Sequence, residues 1–437
     1  MSFQDRLDQA LRGALPRRYG HVATVTGLQM EIAGLQAAIG DAVTVETPTG
    51  ALAAEVVALR DESMLCMPLG ELHGVRAGAR AFADDRPPTI TVGPRVLGRV
   101  LDGLGKPIDE LGPLDGERVT VGGAPPHPLR RSHVDRPLPL GVRALDTIVP
   151  CGRGQRMGIF AGSGVGKSSV LSMIARGTEA QVSVLALVGE RGREVRDFIE
   201  HDLGPEGLAR SVVVVATSDE PALVRLRAAF TATRIAEWYR DQGADVVLMM
   251  DSLTRFAMAQ REVGLAAGEP PATRGYPPSV FSLLPKLLER AGAGERGSIT
   301  GLYTVLVEGD DMNDPVGDHA RSILDGHIVL TRKLATAGHF PSVDVLESVS
   351  RVAPTVTTIE QRAAATELRR LLAAYRDAKD LIEIGAYVPG ANPLVDRAVQ
   401  LQESIDGFLR QDLAEIAAIE ESWHRLFSLL GTTVGAA

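Results

Sequence analysis

The stretch Ala161-Gly-Ser-Gly-Val-Gly-Lys-Ser168 decides the fold of this chain. It matches the spacing of a phosphate-binding loop, G-x-x-x-x-G-K-[S/T], except that Ala161 stands in place of the first glycine. A strand-like run precedes it at residues 157–161, and a helix-compatible run follows at 167–176. Glycines let successive backbone N–H groups converge on a phosphate, and the start of the helix adds its positive dipole end. The sequence therefore predicts an α/β nucleotide-binding core, with Lys167 on an exposed loop at the phosphates and the Ser168 hydroxyl on Mg²⁺.

Two carboxylates end predicted strands of this core. Asp251 closes the apolar run 246–250, where a carboxylate reaches the Mg²⁺ shell of phosphate-loop enzymes. Glu190 ends the run 182–189, where it can orient the attacking water as a general base. Spacing alone leaves open that Asp251 is only an acidic strand cap. It also leaves open that Glu190 forms a surface salt bridge with Arg191 or Arg193.

Outside the core the sequence changes character. Residues 21–92 carry short β-rich runs separated by glycine and proline, which is typical of a small β-barrel. From about residue 157, strand and helix patterns alternate, as in a parallel sheet covered by helices on both faces. Beyond residue 357, Ala, Leu, Glu and Arg dominate without strand-like runs, so the sequence predicts a C-terminal helical domain.

The first residues form a separate segment. Its apolar side chains recur at every fourth position on one face of a predicted helix that Pro16 ends, and they are Phe3, Leu7, Leu11 and Leu15. Two interpretations stay open, because such a helix either packs on its own domain or docks onto a partner.

Composition excludes several classes of protein. The 437 residues include 46 Lys and Arg against 55 Asp and Glu, and the net charge of −9 gives no global electrostatic footprint for nucleic acid. The apolar runs are far shorter than the ~20 residues that span a bilayer, and the first fifteen residues lack the apolar region of a signal peptide. Two cysteines, Cys66 and Cys151, cannot make a disulfide framework. We therefore expect a soluble, cytoplasmic, multidomain protein.

Taken together, these residues resemble the catalytic-subunit family of rotary ATPases and, within it, the flagellar and type III secretion export ATPases. Gly189-Glu-Arg-Gly-Arg-Glu-Val195 resembles the catalytic-glutamate motif of that family. Pro341-Ser-Val-Asp-Val-Leu-Glu-Ser-Val-Ser350 fits the α/β-subunit signature P-[SAP]-[LIV]-[DNH]-x-x-x-S-x-S. The resemblance covers roughly residues 20–430. Stretches that are similar to the export branch lie at residues 146–167, 251–260, 270–278 and 307–315.

The resemblance implies a fold and an assembly. The expected parts are an N-terminal docking segment at 1–20, a β-barrel at 21–92, a RecA-like phosphate-loop domain at 93–355 and a helical domain at 356–437. The family arrangement is a hexameric ring.

The resemblance also implies a role for each matching residue. Lys167 binds phosphate, Ser168 binds phosphate and Mg²⁺, Asp251 lies in the outer shell of the metal, and Glu190 polarises the water. Arg351, directly after the signature, is the expected arginine finger for the γ-phosphate of a neighbouring subunit. The expected nucleotide-binding residues are Gly162, Ser163, Gly164, Val165, Gly166, Lys167, Ser168, Ser169, Phe340 and Tyr387. Phe340 matches the aromatic that the family places against adenine, although an ordinary core role stays open, and Tyr387 is a second adenine candidate.

The implied activity is Mg²⁺-dependent ATP hydrolysis that energises protein export at a flagellar base. The implied partners are a regulatory or stator protein at the N-terminal segment, a central stalk in the ring pore, membrane components of the export gate, and exported proteins with their chaperones. No nucleic acid is expected. The acidic loop 310–318 resembles the family's stalk-facing loop, with a plain solvated loop as the alternative. The expected location is the cytoplasm, in peripheral association with the inner membrane.

Three other functions are weighed against this one. The ATPase of a virulence secretion system is the nearest, although residues 161–167 look more like the flagellar form. A non-catalytic subunit of a proton-translocating ATPase would lack the base or the loop lysine, whereas Glu190 and Lys167 are both present. A hexameric RNA translocase would want a basic and aromatic N-terminal surface, and Phe82 is the sole aromatic residue in 21–92.

Overall fold

The computed structural model describes residues 19–84, 87–307 and 314–431. The N-terminal part is a closed barrel of antiparallel strands in the order β1-β2-β5-β4-β3-β6. Alternate side chains such as Val22, Met30 and Val43 are fully buried inside it, because successive strand residues point to opposite faces. The bounds are β1 Gly20–Thr26, β2 Gln29–Ala33, β3 Ala42–Thr47, β4 Gly50–Leu59, β5 Ser63–Pro68 and β6 Arg80–Ala83.

The core is built on one large sheet. In the described part of the chain its strands run in the order β17-β16-β10-β15-β13-β11-β12-β8, with β14 paired to β15, and a separate ribbon joins β7 and β9. All pairs from β16 to β8 are parallel, and only β14 and β17 run antiparallel to their neighbours. The bounds are β7 Thr89–Val92, β8 Val100–Asp102, β9 Glu117–Thr120, β10 Arg156–Ala161, β11 Val182–Glu190, β12 Ser211–Thr217, β13 Asp245–Asp251, β14 Gly292–Ala293, β15 Ser298–Leu306, β16 Gly326–Leu330 and β17 Val349–Ser350.

Helices cover both faces of this sheet. Val246, Leu248 and Met250 of β13 enter one hydrophobic core, and Val247 and Met249 enter the other. This explains why the strand sequence is apolar at nearly every position. The helices are α1 Arg143–Ile148, α2 Lys167–Gly177, α3 Gly192–Asp197, α4 Gly204–Ala209, α5 Ala222–Asp241, α6 Leu253–Ala266, α7 Pro278–Leu288, α8 Pro315–Ile323, α9 Arg332–Thr336, α10 Ala353–Val356, α11 Ile359–Glu383, α12 Pro393–Leu409 and α13 Ile419–Leu430.

The last three helices form the C-terminal part. Helix α11 begins with a capping box in which Thr358 and Gln361 satisfy each other's backbone N–H groups. The buried Arg143 of α1 ties this part to the core, because its Nη1 donates to the carbonyls of Phe408 and Arg410, each at 3.0 Å.

The predicted fold class is confirmed: an α/β phosphate-loop core, an N-terminal β-barrel and a C-terminal helical region. The predicted helix at residues 2–18 lies outside the described residues. Within those residues, no helix is both long enough and apolar enough to cross a bilayer.

Candidate nucleotide site

The candidate site lies where the central parallel strands end. Strand β10 leads into the glycine loop, β11 ends at Glu190, and β13 ends at Asp251. The register pairs Leu187 with Asp251, so the two carboxylates leave the same edge of the sheet. The carboxyl edge of parallel strands is where α/β proteins bind ligands. The topology therefore brings together three motifs that are far apart in sequence.

The backbone of the loop is shaped for an anion. Gly164 has φ 73° and Gly166 has φ 90°, which is left-handed backbone that favours glycine. Lys167 then begins α2, whose first N–H groups lack partners within the helix. The loop is held from outside, because Ser342 donates to the carbonyl of Val165 and Arg332 Nη2 donates to the carbonyl of Ser163 at 3.0 Å.

Lys167 is part of a buried ion network. Its Nζ lies 3.1 Å from Glu190 Oε1 and also contacts Asp251 Oδ1, and Thr304 Oγ1 donates to that same Asp251 oxygen at 2.8 Å. The predicted loop is exposed at Ser163 and Gly164, but only 13% of the Lys167 side chain is exposed, because it reaches back between the two carboxylates. Burial opposes its charge, but Asp251 and Glu190 outweigh that cost and hold the pKa of Lys167 above its usual value.

Asp251 is nearly inaccessible to solvent. Burial raises the pKa of Asp251 above its ordinary value, although Lys167 works in the opposite direction. One ammonium group is shared by two carboxylates, so this part of the site is short of positive charge. A bound divalent cation would supply it.

Among the described residues, Glu190 forms an ion pair with Lys167 and with neither Arg191 nor Arg193. Its carboxylate contacts Lys167, whereas Arg191 pairs with Glu194 at 3.3 Å. A register shift after Val188, with Gly189 at φ 72°, redirects the end of β11. Such bulges commonly re-aim a side chain beside a functional site.

Phe340 flanks the glycine loop. A Cβ built on Gly166 would lie 3.5 Å from the Phe340 ring, and 47% of Phe340 is exposed. An ordinary core position does not describe this side chain. The ring instead presents an open apolar face beside the loop, as a planar base would require.

Tyr387 lies elsewhere in the protomer. It sits between α11 and α12, and its hydroxyl contacts Asp396 Oδ1 at 2.9 Å and the Asn392 carbonyl at 3.1 Å. In the described part of the chain the hydrogen bonds of its hydroxyl stay within the C-terminal helical region and do not reach the glycine loop. Its adenine role stays a prediction.

Arg351 lies at the edge of the sheet where the parallel strands begin, opposite the edge that carries the glycine loop. Its backbone N–H donates to the carbonyl of Asp325 at 3.0 Å, and the N–H of Asp325 donates to the carbonyl of Arg156, the first residue of β10. The glycine loop follows Ala161, five strand residues further on, or about 17 Å at ~3.3 Å per residue. The exposed Arg351 side chain therefore cannot serve the site of its own protomer.

Three further residues contribute to the site although the sequence did not predict them as site residues. Thr304 and Ser342 support Asp251 and the glycine loop through hydrogen bonds across the fold. The side chain of Arg255 packs on Gly189, where an added Cβ would meet its Cβ at 3.0 Å. Ser342 lies inside the quoted signature, but the sequence did not show that its hydroxyl binds the glycine loop. Arg255 lies in the quoted stretch 251–260, which did not indicate its contact with Gly189, and Thr304 gave no sequence signal.

The residues present fit Mg²⁺ with nucleotide. Ser168 offers a hydroxyl at the start of α2, Asp251 a carboxylate, and the loop an anion cradle with open space at Gly164. Within the three described ranges, no group of three His, Cys, Asp or Glu side chains is placed to hold a metal ion alone.

Two smaller expectations concern the cysteines and the acidic loop. Cys66 and Cys151 are buried free thiols, and burial raises the pKa of both, to about 12 for Cys66, which disfavours the reactive thiolate. Residues 310–313 of the loop 310–318 lie outside the described residues. Asp314 caps α8 by accepting from the N–H groups of Val316 and Gly317.

Comparisons with known proteins agree with this geometry. Residues 141–350 match the ATP synthase alpha/beta family, nucleotide-binding domain, and residues 357–428 match the T3SS EscN ATPase C-terminal domain. The chain is 51% identical to a flagellum-specific ATP synthase of Bacillus subtilis, over 95% of this chain and 96% of the relative. It is 48% identical to a type 3 secretion system ATPase of Xanthomonas euvesicatoria, over 95% of each chain.

Solved structures extend the agreement to three dimensions. The assembled ATPase EscN from the enteropathogenic E. coli type III secretion system superposes with a TM-score of 0.90 at 46% identity, covering 94% of this chain and 100% of that one. The same ATPase in complex with its central stalk EscO gives a TM-score of 0.87 at 46% identity, with the same coverage. The chain belongs to the ATP synthase α/β family and, within it, to the ATPases of flagellar and type III protein export.

Proposed function

We propose that this export ATPase hydrolyses ATP with Mg²⁺ at the edge formed by β10, β11 and β13, and that it works in a flagellar export apparatus. One observation carries the proposal: Lys167 of the glycine loop lies between Glu190 and Asp251 at the ends of two neighbouring strands. The cation that would bind phosphate, the general base and the carboxylate that would hold the metal are therefore in direct contact through the Lys167 ammonium group.

Nucleotide binding exchanges partners at Lys167. The ammonium group leaves the two carboxylates for the β- and γ-phosphates, and the N–H groups of the loop and of the start of α2 hold the phosphate oxygens. Ser168 and Asp251 would hold Mg²⁺, which neutralises phosphate charge when bound. The half-exposed Phe340 ring covers the base.

Glu190 acts on the attacking water. Once Lys167 turns to the phosphates, the Glu190 carboxylate is free to accept a hydrogen bond from a water in line with the γ-phosphate. The Gly189 bulge aims the carboxylate at that position, and Arg255 packs directly behind it.

Arg351 completes the site of a neighbouring copy. The Arg351 backbone lies beside the first residue of β10, and about 17 Å of strand separates that residue from the glycine loop, so the side chain contributes only across an interface. We infer a homo-hexameric ring in which each Arg351 contacts the nucleotide of the next protomer. The assembled form of EscN, a relative 46% identical, supports self-assembly.

The remaining assignments are also part of this proposal. The chain divides at residues 1–20, 21–92, 93–355 and 356–437, and Tyr387 is a second adenine contact. A central stalk enters the ring, as EscO does for EscN. A regulator binds the N-terminal segment, and export-gate components, exported proteins and chaperones meet the ring at the cytoplasmic face of the inner membrane.

Phosphate release by the purified full chain tests the proposal, with and without Mg²⁺. We expect Mg²⁺-dependent turnover that Lys167→Ala abolishes, while circular dichroism shows an intact fold. Unchanged turnover in that variant would contradict the site. Rescue of motility in a strain lacking its flagellar export ATPase, compared with rescue of virulence secretion, distinguishes the two export systems.

A further inference from the structure

A cavity of about 280 Å³ lies away from the nucleotide site, between the core and the C-terminal helices. Helix α11 contributes Arg362, Thr366 and Arg369 to its walls, Ser350 comes from β17, and Trp423 comes from α13. None of its lining residues is acidic. The cavity is therefore a cationic, hydroxyl-bearing space with one apolar side.

Its two arginines have no carboxylate partner in the described part of the chain. Arg369 Nη2 donates to the carbonyls of Ile148 and Ser348 at 3.1 and 3.0 Å. Arg362 Nη1 donates to the carbonyls of Pro354 and Thr357, each at 2.7 Å. These bonds orient both guanidinium groups without neutralising either.

Two other poorly exposed arginines of this chain are ion-paired. Arg99 has Asp109 at 2.7 Å, and Arg156 has Asp325 at 3.1 Å. Burial lowers the pKa of Arg369, with the more distant Asp344 only partly offsetting it. A buried cation that lacks a counter-charge is costly, and a bound anion removes the cost.

Hydroxyl groups in the cavity are available as further donors. Ser350 Oγ accepts from Gln155 Nε2 at 3.1 Å, which leaves its own proton for another acceptor. Thr366 is exposed on α11. Arginine together with hydroxyl donors suits phosphate oxygens, because guanidinium groups match them in charge and geometry.

We propose that this cavity binds a small phosphate-bearing anion between Arg362 and Arg369. Anion binding in this cavity does not depend on the proposed ATPase function. Its consequence rests on the proposed function: Ser350 immediately precedes Arg351, so the bound anion restrains the segment that carries the trans arginine and thereby alters turnover.

Thr366 allows a direct test. It lies four residues after Arg362 and three before Arg369 on α11, which places the three side chains on one helix face. Thr366→Glu supplies an internal carboxylate between the arginines, and Thr366→Gln is the matched uncharged control. Both variants are made in the full chain carrying Lys167→Ala. Phosphate binding at the glycine loop is then weak, and it is equal in the two variants.

The probes are inorganic phosphate and pyrophosphate, titrated against chloride at equal ionic strength without Mg²⁺. We expect a saturable rise in Tm of about 1–3 °C with Thr366→Gln and none with Thr366→Glu, which should itself be more stable than Thr366→Gln. Arg369→Gln should lose the response, whereas Arg370→Gln, which loses an exposed pair with Glu367, should keep it. Equal responses in Thr366→Glu and Thr366→Gln would overturn the site.

Turnover tests the consequence separately. With Lys167 restored, we expect Thr366→Glu and Thr366→Gln to differ in kcat while nucleotide affinity stays the same. Equal kcat values alongside a positive binding result would overturn the link to Arg351 and leave the proposed ATPase function untouched.

Discussion

Replacing Arg351 by alanine removes an exposed guanidinium whose backbone lies about 17 Å along the sheet from its own glycine loop. In this protomer it makes no ion pair within the described residues, so its loss costs the isolated fold little. In a ring it would remove a positive charge from the γ-phosphate of the neighbour. Arginine fingers contribute about 10³–10⁵-fold to kcat, which corresponds to about 4–7 kcal/mol of transition-state stabilisation. We therefore expect turnover to fall by that factor while ATP affinity stays nearly unchanged.

The assay is phosphate release over a range of protein concentrations, with the assembly state measured on the same samples. Specific activity of the unaltered chain should rise cooperatively as oligomers form. Mixing Arg351→Ala with Lys167→Ala protein should restore part of the activity, because some interfaces then pair an intact loop with an intact arginine. Full activity in a demonstrably monomeric sample would refute the trans role.

Two further predictions concern the base pocket and a buried ion pair. Phe340→Ala should raise the Kd for ATP about tenfold with the fold unchanged, because a half-exposed ring beside Gly166 is lost; fluorescence titration checks this, and an unchanged Kd would remove Phe340 from the pocket. The Arg99 guanidinium, with backbone N–H donors, holds the pKa of Asp109 at about 2, below its unfolded value of about 3.9. Its stabilisation is therefore present above about pH 4 and is lost as the pH falls through about 2. Asp109→Asn should destabilise the fold by about 2 kcal/mol at pH 7, and the difference in thermal unfolding should shrink below pH 4; a constant difference would contradict the ion pair.

Local sequence patterns are enough to predict much of the fold. The glycine loop, the apolar strands and the β-rich barrel runs are legible because their periodicity and turn residues are local. Strand β8 was missed, since three residues give no period and its partner β12 lies more than a hundred residues away. Strand β2 was missed because its five residues are too few for their polar–apolar alternation to stand out.

For the candidate site, the sequence predicts the identity of the residues more reliably than their positions in the fold. The contact between Lys167 and Asp251 could not be predicted, because it depends on strand register that the sequence does not display. The support that Thr304 gives to Asp251 was invisible for the same reason. That Arg351 lies at the far edge of the sheet follows only from pairing of β16 with β10 and β17.

The measurement that tests the account most directly is made on Glu190→Gln. The amide keeps the size of the side chain and removes the proton acceptor beside Lys167. Affinity for a non-hydrolysable ATP analogue and the rate of phosphate release are measured on the same purified protein. The account predicts near-normal affinity with turnover lost. Turnover close to that of the unaltered chain, or loss of affinity together with turnover, would contradict the role of Glu190 as the base.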